Sequence, residues 1–264
     1  MMKRMVTSAL FAGCVAGLFA VLLHFAFVEK LILLAEEYET GAQVYFPGAA
    51  PAADGHDAHA AAPSEPVATE ATTAEATAGG DMATMAAHDH GKHEVDEDGS
   101  PLMRHAKSVL AFIAVYSGFG LMLVAGYAMA NQFGHVVTLR DGLLWGVAGF
   151  VSVQLAPAMG LEPELPGTLS AGLEVRQIWW IGTAIATAGG LGLLAYGRGQ
   201  LAWAAGAVLI ALPHIIGAPE IEGFHGVVPP ELASRFAARS LGVGLAAWVV
   251  LGGLLARFWT GKTV

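Results

Sequence analysis

The sequence predicts an all-α fold: a polytopic membrane bundle of about six transmembrane helices, with a disordered histidine- and acid-rich loop after the first. Three observations carry this. Hydrophobic residues make up 55% of the 264-residue chain and charged residues only 13%, where a soluble domain would carry about 25% charge. The apolar residues gather into uninterrupted runs long enough to cross a bilayer, at about 20 residues per crossing, and the mean hydropathy is +0.57. Between the first two runs lies a polar insert containing HDAH (56–59) and HDHGKH (88–93), the latter followed at once by Glu94, Asp96, Glu97 and Asp98.

The expected spans are 6–28, 108–130, 141–160, 177–197, 200–217 and 237–257. The fifth is the shortest, and without it the count falls to five. Between 47 and 100 the composition turns to Ala, Pro, Thr, Gly, Glu and His. Such a stretch cannot bury enough apolar surface to fold and is expected to be disordered. The chain therefore divides into a first transmembrane helix (1–35), a disordered periplasmic loop (36–106) and a membrane bundle of about five further helices (107–264). Phe11-Ala12-Gly13-Cys14 after Lys3 and Arg4 loosely resembles a lipoprotein cleavage box, but the apolar run continues to Val28, so an uncleaved helix is expected.

Charge sets the orientation. With a cytoplasmic N-terminus and six spans, the inner side receives Lys3, Arg4, Arg140, Arg198, Arg257 and Lys262, with Asp141 the sole acid there; the other 21 of 22 acids fall outside. The positive-inside rule counts Lys and Arg near short loops, and the inner loops carry them despite being very short, whereas five spans would put Arg257 and Lys262 on the wrong side. The expected location is the bacterial inner membrane. The net charge of −9 excludes nucleic acid as a partner. Cys14, the one cysteine, excludes a disulfide framework.

Small residues recur inside the spans. Gly13 and Gly17 form one GxxxG, Gly142 and Gly146 another, and Gly189, Gly190 and Gly192 cluster in the fourth span. Close helix packing accounts for them without any functional role. A weak repeat is more suggestive, because Pro157, Pro163 and Glu164 stand 56 residues before Pro213, Pro219 and Glu220. Paired Gly/Pro interruptions are one pointer to a transport site, although the same residues also simply end helices.

Imidazole nitrogen and carboxylate oxygen are ligands that divalent first-row metals prefer. The loop histidines His56, His59, His88, His90 and His93 are thus candidate metal ligands, held without fixed geometry. Their affinity would depend on pH, since imidazole ligates only when neutral and titrates near about 6.5. Within the spans His214, directly after Pro213, is a functional candidate because intramembrane ionisable groups are costly. His24 is a weaker one, with Glu29 five residues on; His105 stands just before the second span. The string LAEEYE supplies Glu36 and Glu37 near the outer surface, and Glu162, Glu164, Glu174, Glu220, Glu222, His225 and Glu231 could complete an acidic vestibule that attracts cations. Arg176, Trp179 and Trp180 read as an interfacial anchor. There is no GxxxxGK[ST], no HExxH and no Ser/His/Asp arrangement, so neither ATP hydrolysis by this chain nor hydrolase chemistry is supported, and no enzyme is expected.

LILLAEEYE (31–39), HDHGKH (88–93), LAPAMGLEPELPG (155–167), RQIWW (176–180), LPHIIGAP (212–219) and VPPELASRFAARSL (228–241) together resemble the CbtA family over nearly the whole chain apart from the insert. The resemblance implies cobalt uptake serving cobalamin synthesis, alongside a small single-span, histidine-tailed membrane partner, CbtB. It supports Glu36, Glu37, Pro213 and His214 only as motif members. The family is described with five spans, against six from charge counting.

The combined expectation is an inner-membrane importer of Co²⁺, or of Ni²⁺, with no tightly bound cofactor. The loop histidines would collect the ion, and His214 with Glu36 or Glu37 would bind it near the outer leaflet. Two alternatives stand beside it: a membrane metal sensor or accessory subunit that does not transport, and a redox protein holding haem between His24 and His214.

Overall fold

The computed structural model describes residues 2–45, 100–220, 223 and 226–260. The histidine tracts at 56–59 and 88–93, and Glu222 and His225, lie outside the described residues. All six predicted apolar segments are helical. In chain order the helices are α1 (Met2–Phe27), α2 (Glu29–Glu39), α3 (Pro101–Gln132), α4 (Leu139–Phe150), a π-helical turn (Val151–Leu155), α5 (Ala156–Ala158), α6 (Leu173–Tyr196), α7 (Gln200–Ile216) and α8 (Pro230–Thr260). By length and composition four of them can cross a membrane: Met5–Phe27, Pro101–Gln132, Leu173–Tyr196 and Pro230–Thr260. The unbroken helical run from Leu139 to Ala158 is about 30 Å long at 1.5 Å per residue, and α7 is an apolar helix of 17 residues. The chain is a polytopic helical membrane protein. Among the described residues the β-structure is one isolated bridge, Thr168 to Gly226.

Both ends of the segment expected to be a loop are helical. LILLAEEYE forms α2, which follows α1 after a break at Val28, and α3 already begins at Pro101. The break leaves the Phe27 carbonyl outside the helical ladder, and Arg239 of α8 donates to it at 3.0 Å. Helix α2 buries Leu31 and Ala35 against Leu165, Leu232 and Phe236 and turns its acids away from that face. Local chemistry sets the helix starts. Ser100 accepts from the Met103 amide at 3.3 Å with Pro101 in the first turn. Thr138 and Asp141 form a reciprocal capping box for α4.

Three helix pairs are joined where glycine removes the side chain. A Cβ on Gly13 or Gly17 of α1 would meet the backbone of Tyr116, Ser117, Phe112 or Ile113 of α3 within 3 Å. Gly142 and Gly146 of α4 lie in the same way against Trp248, Gly252 and Ala256 of α8, and Gly190 of α6 lies against Gly206 of α7. The GxxxG pairs thus serve packing, as expected. The core fills the space between these seams, with the alanine stripe Ala9, Ala12, Ala16 and Ala20 fully buried beside Tyr127, Trp248 and Leu251. Tyr127 satisfies its buried hydroxyl by donating to the Gly252 carbonyl at 3.1 Å, with the Gly142 carbonyl 3.4 Å away, and so ties α3 to both partners of the α4–α8 seam.

The third span contains a feature that apolar patterning does not reveal. Pro157 has no N–H, and its ring crowds the carbonyl four residues back. One turn earlier, Ser152 donates its hydroxyl to the Ala148 carbonyl at 2.8 Å. The ladder relaxes into a π turn over Val151–Leu155, closed by the Ala156 amide on the Val151 carbonyl. Such a turn inserts an extra residue and redirects the side chains it carries. Gln154 is one of them.

Candidate functional site

At the end of the bundle that carries α2, charged side chains from distant parts of the sequence meet in pairs. Glu29 Oε1 lies 2.7 Å from His105 Nε2, joining the start of α2 to the first turns of α3. Arg104, next to it, donates to Glu36 Oε2 at 3.3 Å. Glu37 accepts from Gln43 Nε2 at 2.6 Å. Across the bundle Arg176 donates to Glu164 at 2.8 Å and to Ser170 at 2.6 Å. Tyr45 donates to Glu231 at 3.4 Å, and that carboxylate's charge holds the Tyr45 phenol above its usual range. The expected acidic vestibule is therefore partly neutralised, because Arg104 and Arg176 each face one of its acids.

Val28, the chain neighbour of Glu29, lines a cavity of about 570 Å³. It opens between α1, α3, the π turn, α6 and α8, and its walls are largely apolar. The polar side chains that reach it are His24, Tyr116, Gln154 and Ser240. Aromatic contacts link it to the rim: the His105 ring lies 4.9 Å from Phe25, Phe25 lies 6.0 Å from His24, and His24 lies 5.1 Å from Phe112. Phe112 then stacks on Tyr116 at 6.4 Å.

The structure does not bring His214 together with Glu36 or Glu37. Helix α7 contacts α6 alone among the described helices, while α2 packs on α1 and α8. His214 stands beside Trp179 of α6, with ring centroids 6.1 Å apart. Nor are His24 and His214 brought together as a haem pair, since α1 and α7 do not touch. Among the described residues no group of three or more His, Cys, Asp or Glu is placed to hold a metal ion. The proline repeat does meet in space: a Cβ on Gly160, after Pro157, would fall on Ala218, after Pro213, and on Trp179.

A family model described as "Probable cobalt transporter subunit (CbtA)" matches residues 2–260. The chain belongs to the CbtA family. Comparison with curated proteins and with solved structures finds no match to this chain. The strings that resemble CbtA fall on structural landmarks. LILLAEEYE is α2, LAPAMGLEPELPG covers the turn that follows the π helix, and VPPELASRFAARSL opens α8. Membership makes this chain a multi-pass membrane protein of a cobalt-transporter subunit family.

Two features of this CbtA chain escaped the sequence reading. Glu29 and His105 were each visible, but a separation of 76 residues hides their pairing. Gln154 was visible as the sole amide between Gly142 and Gly160, and an amide in a membrane run is a signal of the same kind as an intramembrane histidine. Ser240 gave no such signal.

Proposed function

We propose that this chain is the membrane subunit through which a divalent transition-metal ion, Co²⁺ above all, is taken up across a bacterial inner membrane. The observation that carries the reading is the Glu29–His105 pair, one carboxylate oxygen and one imidazole nitrogen 2.7 Å apart at the α2 end of the bundle, in a chain of a cobalt-transporter subunit family. Mixed N/O donors suit this class of ion and release it more readily than thiolates do. In this reading the α2 end faces the periplasm, and Lys3, Arg140, Arg198 and Arg257, at or between helix termini of the opposite end, face the cytoplasm. The loop histidines His56, His59, His88, His90 and His93 collect the ion loosely and raise its local concentration. A small single-span, histidine-tailed membrane subunit is the proposed partner.

Accumulation of radiolabelled cobalt in cells lacking their own cobalt import tests this. Expression of the chain with its small partner is expected to restore accumulation that excess nickel does not suppress. With membrane insertion verified, failure to accumulate with or without the partner would replace the importer by an accessory or sensing subunit. Deleting 88–93 is expected to lower accumulation several-fold when cobalt is scarce and to leave it unchanged when cobalt is abundant. Equal loss under both conditions would remove the collector role.

A further inference from the structure

The cavity beside α2 has an open side, and the exposure of its lining shows where. Ala111, Val115 and Trp180 are exposed, whereas every other lining residue is buried or half-buried. Those three stand on α3 and α6, which have no contact with each other among the described residues. Both helices are long and apolar enough to cross a membrane. The mouth therefore opens sideways between two spans, where the surroundings are hydrocarbon rather than water.

The interior suits the same surroundings. No Asp, Glu, Lys or Arg lines it. The Gln154 amide oxygen and the Ser240 hydroxyl are themselves buried, the former against the Gly244 backbone, so they add little polarity to the surface an occupant would meet. What remains is chiefly aromatic and aliphatic, with Phe112, Phe119 and Phe236 prominent. The volume of about 570 Å³ falls within the range of about 300–1,000 Å³ found for ligand sites. Left empty, it would deprive every wall of its contacts. Position along the helices indicates which part of a lipid goes where. The lining begins at Val28, beside the start of α2, and runs about 12 Å along α3 from Ala111 to Phe119. One turn outward from Ala111 stands the exposed Lys107, a cation suited to a phosphate. Trp179 and Trp180 on the facing helix mark the depth that indole prefers, the boundary of hydrocarbon and headgroups.

We propose that this cavity is a lipid site, in which an acyl chain of a bilayer phospholipid enters sideways between α3 and α6 with its phosphate at the level of Lys107. The seated chain acts as a wedge, filling the space between α6 and the walls made by α1, α3 and α8. The site does not depend on which ion the protein carries.

The test uses the full-length chain in phosphatidylcholine nanodiscs that contain a graded fraction of phosphatidylglycerol with a diazirine midway along one acyl chain. After irradiation, peptide mass spectrometry locates the adducts. Tyr116 and Val153, buried cavity residues, are expected to be labelled at least fivefold more than Ile185, which faces outward from α6. Their labelling should saturate as the fraction rises, whereas that of Ile185 should rise in proportion. Val115→Trp, which fills the mouth, is expected to cut labelling of Val153 at least fivefold and to leave Ile185 unchanged. Lys107→Glu should raise the lipid fraction needed for half-saturation at least threefold. Gel filtration reports folding, and Ala111→Trp replaces Val115→Trp should the latter aggregate. Adducts confined to exposed residues, or Val153 labelling that never saturates, would overturn the site. So would Val153 labelling that a folded mouth variant and Lys107→Glu both leave within twofold. Labelling of Val153 that vanishes when the proposed small membrane partner is co-expressed would give the cavity to a protein segment instead of a lipid.

Discussion

Leucine at Gly252 is expected to leave almost no folded protein in the membrane. A Cβ there would fall on the Gly142 carbonyl and within 3 Å of the Gly146 backbone, so the obstruction is main chain on both sides and no side chain can swing away. Even alanine must part α4 from α8, and leucine must part them further. Overfilling a packed contact costs about 1–3 kcal/mol in soluble cores. Here the same displacement also removes the acceptors of the buried Tyr127 hydroxyl, which donates to Gly252 and lies near the Gly142 carbonyl. An orphaned buried hydroxyl adds about 1–3 kcal/mol, and the combined cost of about 2–6 kcal/mol overlaps the low end of the roughly 5–15 kcal/mol that holds an ordinary domain together. Detergent extraction followed by size-exclusion chromatography gives the readout, with Gly252→Ala retaining part of the monodisperse peak. Gly182, where a Cβ would meet nothing within 4 Å, supplies the control: Gly182→Leu should behave as the parent. A normal peak from Gly252→Leu would mean that α4 and α8 are not joined at this seam.

The second large effect is expected at Glu29. Glu29→Gln keeps the size of the side chain and its ability to meet His105, but removes the negative charge. At limiting cobalt the initial rate of uptake should fall at least tenfold with the amount of inserted protein unchanged. The comparison with Glu36 decides what kind of effect this is. Glu36 already faces the Arg104 guanidinium at 3.3 Å, and exposed pairs of that kind contribute about 0–1 kcal/mol. Its carboxylate has little charge to spare for a passing ion, so Glu36→Gln should change uptake by less than twofold. Equal losses in the two variants would mean that the acids act together as a diffuse field and that the Glu29–His105 pair has no special part.

The helices were legible because membrane-length apolar runs leave few alternatives, and the glycine seams because closely spaced glycines imply close backbones. The continuation of the first helix into α2 was not, since the charges of LAEEYE read as a loop until Leu31 and Ala35 find Leu232 and Phe236 some two hundred residues away. The same limit hid the site. Apolar spans carry little periodicity to show which faces meet, so His214 and the LAEEYE acids could be placed at one end of the bundle but not on touching helices. They sit on α7 and α2, which have no contact. The π turn followed from two residues readable one by one, Ser152 and Pro157, whose combined effect on the hydrogen-bond ladder emerges only when the helix is built.

The glycine seams also divide the bundle mechanically. Helices α1, α3, α4 and α8 interlock through contacts that involve backbone, and so behave as a frame. Among the described helices α7 touches α6 alone, and α6 meets the frame through α4, the π turn and α5, with the Trp145–Tyr196 hydrogen bond at the far end. The α6–α7 hairpin thus meets the frame outside both backbone seams, held by Trp145 on Tyr196 at one end and by Arg176 on Glu164 at the other. Its Trp180 forms one wall of the cavity, and other walls belong to α1, α3 and α8 of the frame.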